Sequence, residues 1–168
     1  IAGGLDEGTQ FRAVIPGGAS APWLNTLDIN MDFESLGAVG SMLGSGSVIF
    51  MSDAICPVRM AWISTRFFNH ESCGKCTPCR EGSWWSVKIL ERIEKGEGRS
   101  EDLQTLLDVC DQMSAPGPTY VPKGQCFCAL GDGQAWSLRS AISLFREEFE
   151  EHITAGACPL DITAEVAS

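Results

Sequence analysis

Three cysteines spaced three residues apart form the pattern in this chain that is most able to do chemistry. Cys73, Cys76 and Cys79 lie in one short segment. This C-x2-C-x2-C spacing lets one loop direct three thiolates to a single centre, as in the runs that bind cubane iron–sulfur clusters. A cubane cluster takes four thiolates, so one more has to come from another part of the chain. The candidates are Cys126 and Cys128, which lie close together downstream.

Positive charge near the trio favours the same interpretation. The helical pattern after Arg80 places the N–H end and the positive pole of a helix beside Cys79. This pole stabilises the negative charge of a thiolate-ligated cluster. Lys75 and Arg80 add to the positive field, so the trio and its surroundings together predict an iron–sulfur site.

Zinc binding and disulfide formation are alternative uses of the same cysteines. Structural zinc also takes four cysteines, but its usual layout is two C-x2–4-C knuckles rather than a tandem trio with one distant partner. Disulfide geometry does not suit cysteines packed this tightly. A non-redox interaction module held by structural zinc is therefore the alternative function from a different class.

Length, charge and cysteine content limit the class of protein. The 168 residues suffice for one ordinary domain or two small ones. A net charge of −10 argues against nucleic-acid binding, which needs a basic face. Eight cysteines that cluster at metal spacing, without a signal peptide, indicate a reducing compartment. No apolar run reaches the ~20 residues that cross a bilayer, so a direct membrane span is not expected.

The N-terminal part of the chain is predicted to form a small mixed domain over residues 1–52. Residues 10–16 and 47–51 have the apolar, β-branched character of strands, and further strands are expected near Leu5 and Leu27. Asp32 is a plausible cap for a short helix.

Residues 53–168 are predicted to be mainly helical. Apolar periodicity predicts helices over about 53 to the cysteine loop, 81–95, 100–113 and 135–153. Proline-rich residues 114–124 are expected to form a loop, and the tail after Thr154 is expected to fray. Four helices with short connections predict a bundle, so the fold class is α+β.

The remaining cysteines and the histidines have ordinary structural interpretations. Cys56 and Cys110 lie in helical apolar patterns, where a free cysteine acts as a small buried hydrophobe, and Cys158 is expected to be a free thiol in the tail. His70 and His152 lie where they complement helix C-termini. No nucleophile–base pairing is evident, so no catalytic residue is predicted.

Several motifs together resemble one family. Residues 70–82, HESCGKCTPCREG, followed by Trp85, look like the signature of the NADH-binding flavoprotein (51-kDa-type) subunit of respiratory complex I, NADH:quinone oxidoreductase. Supporting matches lie at 13–18, 31–36, 40–46, 128–132 with Trp136, and 145–150. The resemblance covers almost the whole chain and corresponds to the C-terminal portion of that subunit.

The resemblance implies a fold and a ligand set. It implies a ubiquitin-like β-grasp domain followed by a four-helix domain that carries one [4Fe-4S] cluster. Carried over to this sequence, the ligands are Cys73, Cys76, Cys79 and Cys128, which leaves Cys126 as the spare. The family's glycine-rich nucleotide loop is absent here, so FMN and NAD(H) are expected to bind outside these residues. The 168 residues alone are therefore not expected to oxidise NADH.

The family's chemistry implies an electron-transfer function. Electrons pass from NADH-reduced FMN through the cluster towards quinone, and the expected partners are the [2Fe-2S] (24-kDa-type) subunit and the large iron–sulfur subunit of the hydrophilic arm. The expected location is peripheral, on the cytoplasmic side of a bacterial inner membrane or the mitochondrial matrix side. The alternative within redox proteins is the diaphorase subunit of an NAD-linked hydrogenase or formate dehydrogenase. The chain lacks an initiator Met, so a fragment of a longer protein is expected.

Overall fold

The computed structural model describes residues 3–115 and 125–160, which form an α+β fold. The described elements in chain order are β1 (Phe11–Ile15), α1 (Phe33–Ala38), β2 (Ile49–Ser52), α2 (Pro57–Glu71), α3 (Thr77–Glu94), α4 (Asp102–Met113), α5 (Leu130–Leu144) and α6 (Arg146–Ala155). Within these ranges, no helix is both long enough and apolar enough to cross a bilayer.

Two antiparallel strands form the described sheet. Val14 pairs with Phe50 and Ile15 with Ile49, and the inward side chains of β1 are fully buried. The strands predicted near Leu5 and Leu27 do not form. Near Leu27 the backbone makes only an isolated antiparallel bridge, between Leu24 and Val14, and both Leu5 and Leu27 side chains are exposed.

The short helix α1 begins where the sequence predicts. The carboxylate of Asp32 accepts a hydrogen bond from the backbone N–H of Ser35 at 2.7 Å, which satisfies one of the free N–H groups of the first turn. Leu36 is its buried residue.

The helical part departs from the prediction at three helix starts and at one break. Helix α2 begins at Pro57 rather than near 53, and α5 begins at Leu130 rather than near 135. Helix α3 begins at Thr77 rather than near 81, so the cysteine motif runs into its first turn, with Pro78 at a position that helix starts tolerate. The single helix predicted over 135–153 is wrong, because the backbone leaves helical geometry at Phe145 and α5 and α6 form instead. Phe145 thereby packs edge-on against Trp23, with ring centroids 6.2 Å apart.

One continuous apolar core joins the sheet to the helices. Trp23 is its principal connection, because its indole N–H donates to Ser137 at 3.0 Å and its backbone N–H donates to Ser140 at 2.9 Å. Arg12 of β1 forms an ion pair with Glu148 of α6. The sheet is therefore packed on the helices that follow the second cysteine segment.

Candidate metal centre

The cysteine trio spans the turn from α2 to α3. Cys73 is exposed, Cys76 is the N-cap residue of α3, and Cys79 is buried in the first helical turn. A glycine at 74 permits the left-handed backbone that the turn requires, with φ +73°. The guanidinium of Arg80 donates to the Gly74 carbonyl at 2.9 Å and closes the loop.

The second cysteine segment is held against the end of α4. The side-chain amide of Gln125 donates to the Asp111 carbonyl at 3.2 Å and accepts from the Ala115 backbone N–H at 2.6 Å. The buried thiol of Cys126 donates to the Met113 carbonyl at 3.5 Å. Cys128, by contrast, is exposed and lies two residues before α5 begins.

Close backbone packing joins the two segments. A β-carbon added to Gly131 in the first turn of α5 would lie 2.5 Å from the Cys126 sulfur and 3.5 Å from Cβ of Cys79. Glycine at 131 therefore allows α5 to approach both cysteines. The N-termini of α3 and α5 consequently lie at the same place, and both direct their positive ends towards sulfur.

The thiol pKa values show that these sulfurs interact. A hydrogen bond from the Phe127 backbone N–H is the main reason that the pKa of Cys76 is lowered, and the Cys126 thiol contributes. Burial raises the pKa of Cys79, and the charges of Cys76, Cys128 and Cys73 raise it further. Burial also raises the pKa of Cys126 to about 12. Cys79 thus feels the charges of Cys73, Cys76 and Cys128, and Cys126 feels those of Cys76 and Cys79.

This donor set fits an iron–sulfur cluster. The described residues around the centre offer thiolates, hydroxyl and backbone groups and the buried carboxylate of Asp132, whose charge acts on Cys126, and the Ser72 hydroxyl lies 3.4 Å from the Cys79 sulfur. Burial is the main reason that the pKa of Cys79 is raised, and repulsion from neighbouring thiolates adds to it; a bound metal group would remove that repulsion. Soft thiolate ligands select iron–sulfur clusters and zinc rather than hard cations.

The structure places the sequence-predicted residues as follows. Cys79 and Cys126 both lie beside Gly131, Cys126 hydrogen-bonds to Cys76, and Cys73 and Cys128 are exposed on the same two segments. Cys110 is buried in α4, and the exposed imidazole of His70 lies in the last turn of α2, both as predicted.

Two features of these sites were not predicted. The Phe127 backbone N–H that reaches Cys76 carries no side-chain signal, so the sequence could not indicate it. The second is a separate group of Cys56, His152 and Cys158, which lies away from the motif at the other end of α2.

Comparison with known families decides which class of iron–sulfur protein this is. Residues 59–152 match the family described as the NADH-ubiquinone oxidoreductase-F iron-sulfur binding region, and the match covers more than half of the chain. The chain belongs to this family. The matched residues include all five cysteines of the candidate centre, so the iron–sulfur binding region of the family coincides with the site built above.

Curated relatives and a solved structure agree with the family. The chain is 50% identical over 160 residues to the F 2 subunit of the NADH-quinone oxidoreductase of Rhizobium meliloti (strain 1021), covering 94% of this chain and 36% of the relative. It is 44% identical to the F subunit of the Streptomyces coelicolor enzyme, covering 96% and 34%. A crystal structure of NAD+-reducing [NiFe]-hydrogenase in the air-oxidized state matches with a TM-score of 0.72 at 27% identity, covering 86% and 24%. The chain thus spans about a third of the length of the curated relatives it matches.

Proposed function

We propose that this chain is the electron-exit portion of the NADH-oxidising flavoprotein subunit of NADH:quinone oxidoreductase. In this proposal NADH and FMN bind outside these residues, and the electrons leave towards quinone. A bound [4Fe-4S] cluster supplies one-electron chemistry, which converts the two-electron supply of a reduced flavin into single-electron steps. The observation that carries the proposal is the convergence of the tandem cysteines with the second cysteine segment inside the matched family region.

We propose Cys73, Cys76, Cys79 and Cys128 as the four ligands. The charges of both Cys126 and Cys128 reach Cys79, and Cys128 is favoured as the distant ligand because of the family resemblance and because it is exposed. The Cys126 thiol is instead buried, donates to the Met113 carbonyl, and holds its proton up to a pKa of about 12. Its contact with Cys76 suits a hydrogen-bond donor beside the cluster better than a ligand.

The chain's own groups would stabilise negative charge on the centre. The Phe127 backbone N–H reaches the Cys76 sulfur, and the Ser72 hydroxyl lies beside Cys79. Hydrogen bonds to cluster sulfurs and limited solvent access are the usual means by which a protein sets a cluster potential. The helix N-termini of α3 and α5 act in the same direction.

The finer architecture and the assembly are part of the proposal. Residues 1–52 would form the β-grasp domain and residues 53–168 the four-helix iron–sulfur domain. Support comes from the antiparallel pairing of β1 with β2 and from the packing of α2 to α5 around the centre. The proposed partners are the [2Fe-2S] (24-kDa-type) subunit and the large iron–sulfur subunit. The proposed location is peripheral, on the cytoplasmic side of a bacterial inner membrane or the mitochondrial matrix side.

Metal analysis and spectroscopy of paired cysteine variants test the proposal. The anaerobically purified chain is expected to hold about four irons and an electron paramagnetic resonance signal after dithionite reduction. Cys128→Ser should lose the signal, whereas the matched variant Cys126→Ser should keep it. The reverse result would overturn the ligand assignment. Stoichiometric zinc at the motif, with no iron and no signal, would instead support the structural zinc module.

A second function is favoured by one observation, the fold match to the NAD+-reducing [NiFe]-hydrogenase. In that case the chain would belong to the diaphorase subunit of an NAD-linked hydrogenase, or of a formate dehydrogenase, and the same cluster would serve a different terminal partner. Subunits that co-purify with the full-length protein distinguish these functions. Membrane subunits support the quinone-linked complex, and a nickel–iron or molybdenum subunit supports the diaphorase.

A further inference from the structure

A second group of metal-binding side chains lies at the opposite end of α2 from the cysteine motif. Cys56 is the N-cap residue of α2, His152 lies in the last turn of α6, and Cys158 follows α6. The Cys56 sulfur is 3.3 Å from Nε2 of His152, and the ligand atoms of all three residues lie within 4.8 Å of one another. Because α2 has 15 residues, about 22 Å of helix separates this group from the motif.

A fourth donor comes from the last residue of α3. The carboxylate oxygen Oε1 of Glu94 lies 4.0 Å from the Cys56 sulfur and 3.9 Å from Nε2 of His152. Tetrahedral zinc with two sulfur, one nitrogen and one oxygen ligand separates neighbouring ligand atoms by roughly 3.4 to 3.8 Å. The Cys56–His152 separation of 3.3 Å is near that range, the two distances from Glu94 are slightly longer, and the group that includes Cys158 extends to 4.8 Å, so side-chain movements would have to complete the geometry.

The surroundings orient the donors as a metal would require. The other imidazole nitrogen of His152, Nδ1, lies 2.7 Å from the Glu148 carbonyl oxygen, which can only accept a hydrogen bond. In the neutral ring Nδ1 therefore carries the proton, and the lone pair of Nε2 faces Cys56. A histidine held in this way by a carbonyl is the usual second-layer support of a metal ligand. The Arg59 backbone N–H also donates to the Cys56 sulfur at 3.4 Å.

The group is nearly closed to water. The side chain of His152 is 2% exposed and that of Glu94 is 11% exposed, while Cys158 is half-buried. Gly156 ends α6 in the left-handed conformation, φ +67°, and the chain then turns Cys158 back towards Cys56. Burial raises the pKa of Cys56 to about 12 and also raises the pKa of Glu94. Binding of a divalent cation would displace the thiol proton of Cys56.

We propose that Cys56, Cys158, His152 and Glu94 form a mononuclear site for zinc or a similarly soft divalent cation, separate from the iron–sulfur centre. The four ligands come from the start of α2, the end of α3, the last turn of α6 and the segment after it. A closed set of four protein ligands is typical of structural rather than catalytic zinc. The cation would fasten the end of α6 to the helices that carry the cysteine motif.

Zinc quantification on the cluster-containing chain tests the site. The chain is purified anaerobically, given one equivalent of zinc, separated from free metal by gel filtration, and assayed for zinc and iron. We expect about one zinc per chain, with two sulfur and two nitrogen or oxygen neighbours in zinc X-ray absorption spectra. Cys158→Ser should lower the zinc affinity by at least about tenfold without changing iron content.

Two further variants distinguish loss of this zinc site from loss of the iron–sulfur cluster and from misfolding. Cys110→Ser alters a buried cysteine outside both groups and should keep zinc and iron. Cys128→Ser should lose iron but keep zinc, so failure of the ligand assignment at the motif does not count against the zinc site. Equal zinc binding by the unaltered chain and Cys158→Ser would overturn the proposal, as would an absence of retained zinc. A Cys56–Cys158 disulfide in the anaerobic chain, seen as a mass lower by two hydrogens, would overturn it as well.

Discussion

The two ends of α2 each gather cysteines, but the two sets of sulfurs have different surroundings. At the C-terminal end, Cys73 is exposed, the pKa of Cys76 is lowered by a backbone N–H, and two helix N-termini face the sulfurs. At the N-terminal end, the Cys56 thiol is buried beside Glu94 and His152 and has a pKa of about 12. At one end Cys76 is favoured as an anionic thiolate, although burial raises the pKa values of Cys79 and Cys126 beside it. At the other end the Cys56 thiol keeps its proton until a cation displaces it. Proximity of cysteines alone therefore does not define the chemistry, because solvent access and hydrogen-bond donors decide it.

Removal of a proposed cluster ligand is the strongest test of this contrast. Cys79→Ser should abolish the bound iron, from about four atoms per chain to nearly none, because a buried ligand in the first turn of α3 cannot be replaced by solvent. Cys56→Ser should leave iron unchanged. Iron and sulfide analysis of both variants checks the prediction. Retention of iron by Cys79→Ser, or its loss in Cys56→Ser, would remove the distinction between the two ends.

In the metal-free protein the Cys76 thiol should react about three orders of magnitude faster than the Cys56 thiol. Only the thiolate reacts with iodoacetamide. A pKa of about 12 leaves Cys56 with roughly a thousandfold less thiolate near pH 8 than an ordinary thiol of pKa 9.0, and the pKa of Cys76 lies below 9.0. Alkylation rates from peptide mass spectrometry should show fast labelling of Cys76 and almost none of Cys56. The gap should narrow as pH rises towards 12, and equal rates at pH 8 would contradict the pKa assignments.

Packing at the motif should be sensitive to one methyl group. Gly131→Ala would place a β-carbon 2.5 Å from the Cys126 sulfur, and overpacking of this kind costs about 1–3 kcal/mol. Gly37→Ala in α1 is a matched control, because a β-carbon there meets nothing within 4 Å. Urea denaturation should show a lower free energy of unfolding for the first variant only. A neutral Gly131→Ala would mean that α5 does not approach the cysteines as described.

The smallest expected effect concerns the Ser72 hydroxyl beside Cys79. Ser72→Ala removes this hydroxyl and its hydrogen bond to sulfur, and that hydrogen bond is worth about 0.5–1.5 kcal/mol. The loss of this free energy corresponds to a fall in reduction potential of roughly 20–60 mV. Ser100→Ala, which removes a hydroxyl that donates to the Glu101 carboxylate, should leave the potential unchanged. Redox titration followed by electron paramagnetic resonance measures both. A rise in potential for Ser72→Ala would contradict the direction.

The sequence predicts one end of α2 much better than the other, for a physical reason. Cys73, Cys76 and Cys79 are local in the chain, so their spacing alone indicates a shared centre, and the helix that follows is visible in its apolar periodicity. Cys56 and His152 are 96 positions apart, and each has an ordinary interpretation by itself, a core cysteine and a histidine at a helix end. Only the packing of α6 against α2 and α3 brings them together.

The same limit applies to the fold. The paired strands and most helices follow from local patterns, but apolar residues continue through Phe145, so periodicity does not reveal the break between α5 and α6. At the break Phe145 packs against Trp23, a residue more than a hundred positions earlier in the chain. Contacts of that separation cannot be inferred from a window of neighbouring residues.

The left-handed glycine that ends α6 has a consequence for how the chain tolerates sequence change. A β-carbon at Gly96, just after α3, would collide with the backbone of Gly156. The backbones that follow α3 and α6 are therefore in direct contact. Any side chain at position 96 would push these ends apart and swing Cys158 out of reach of its neighbours. The direction in which the chain leaves α6 therefore depends on the absence of a β-carbon at Gly96 and Gly156.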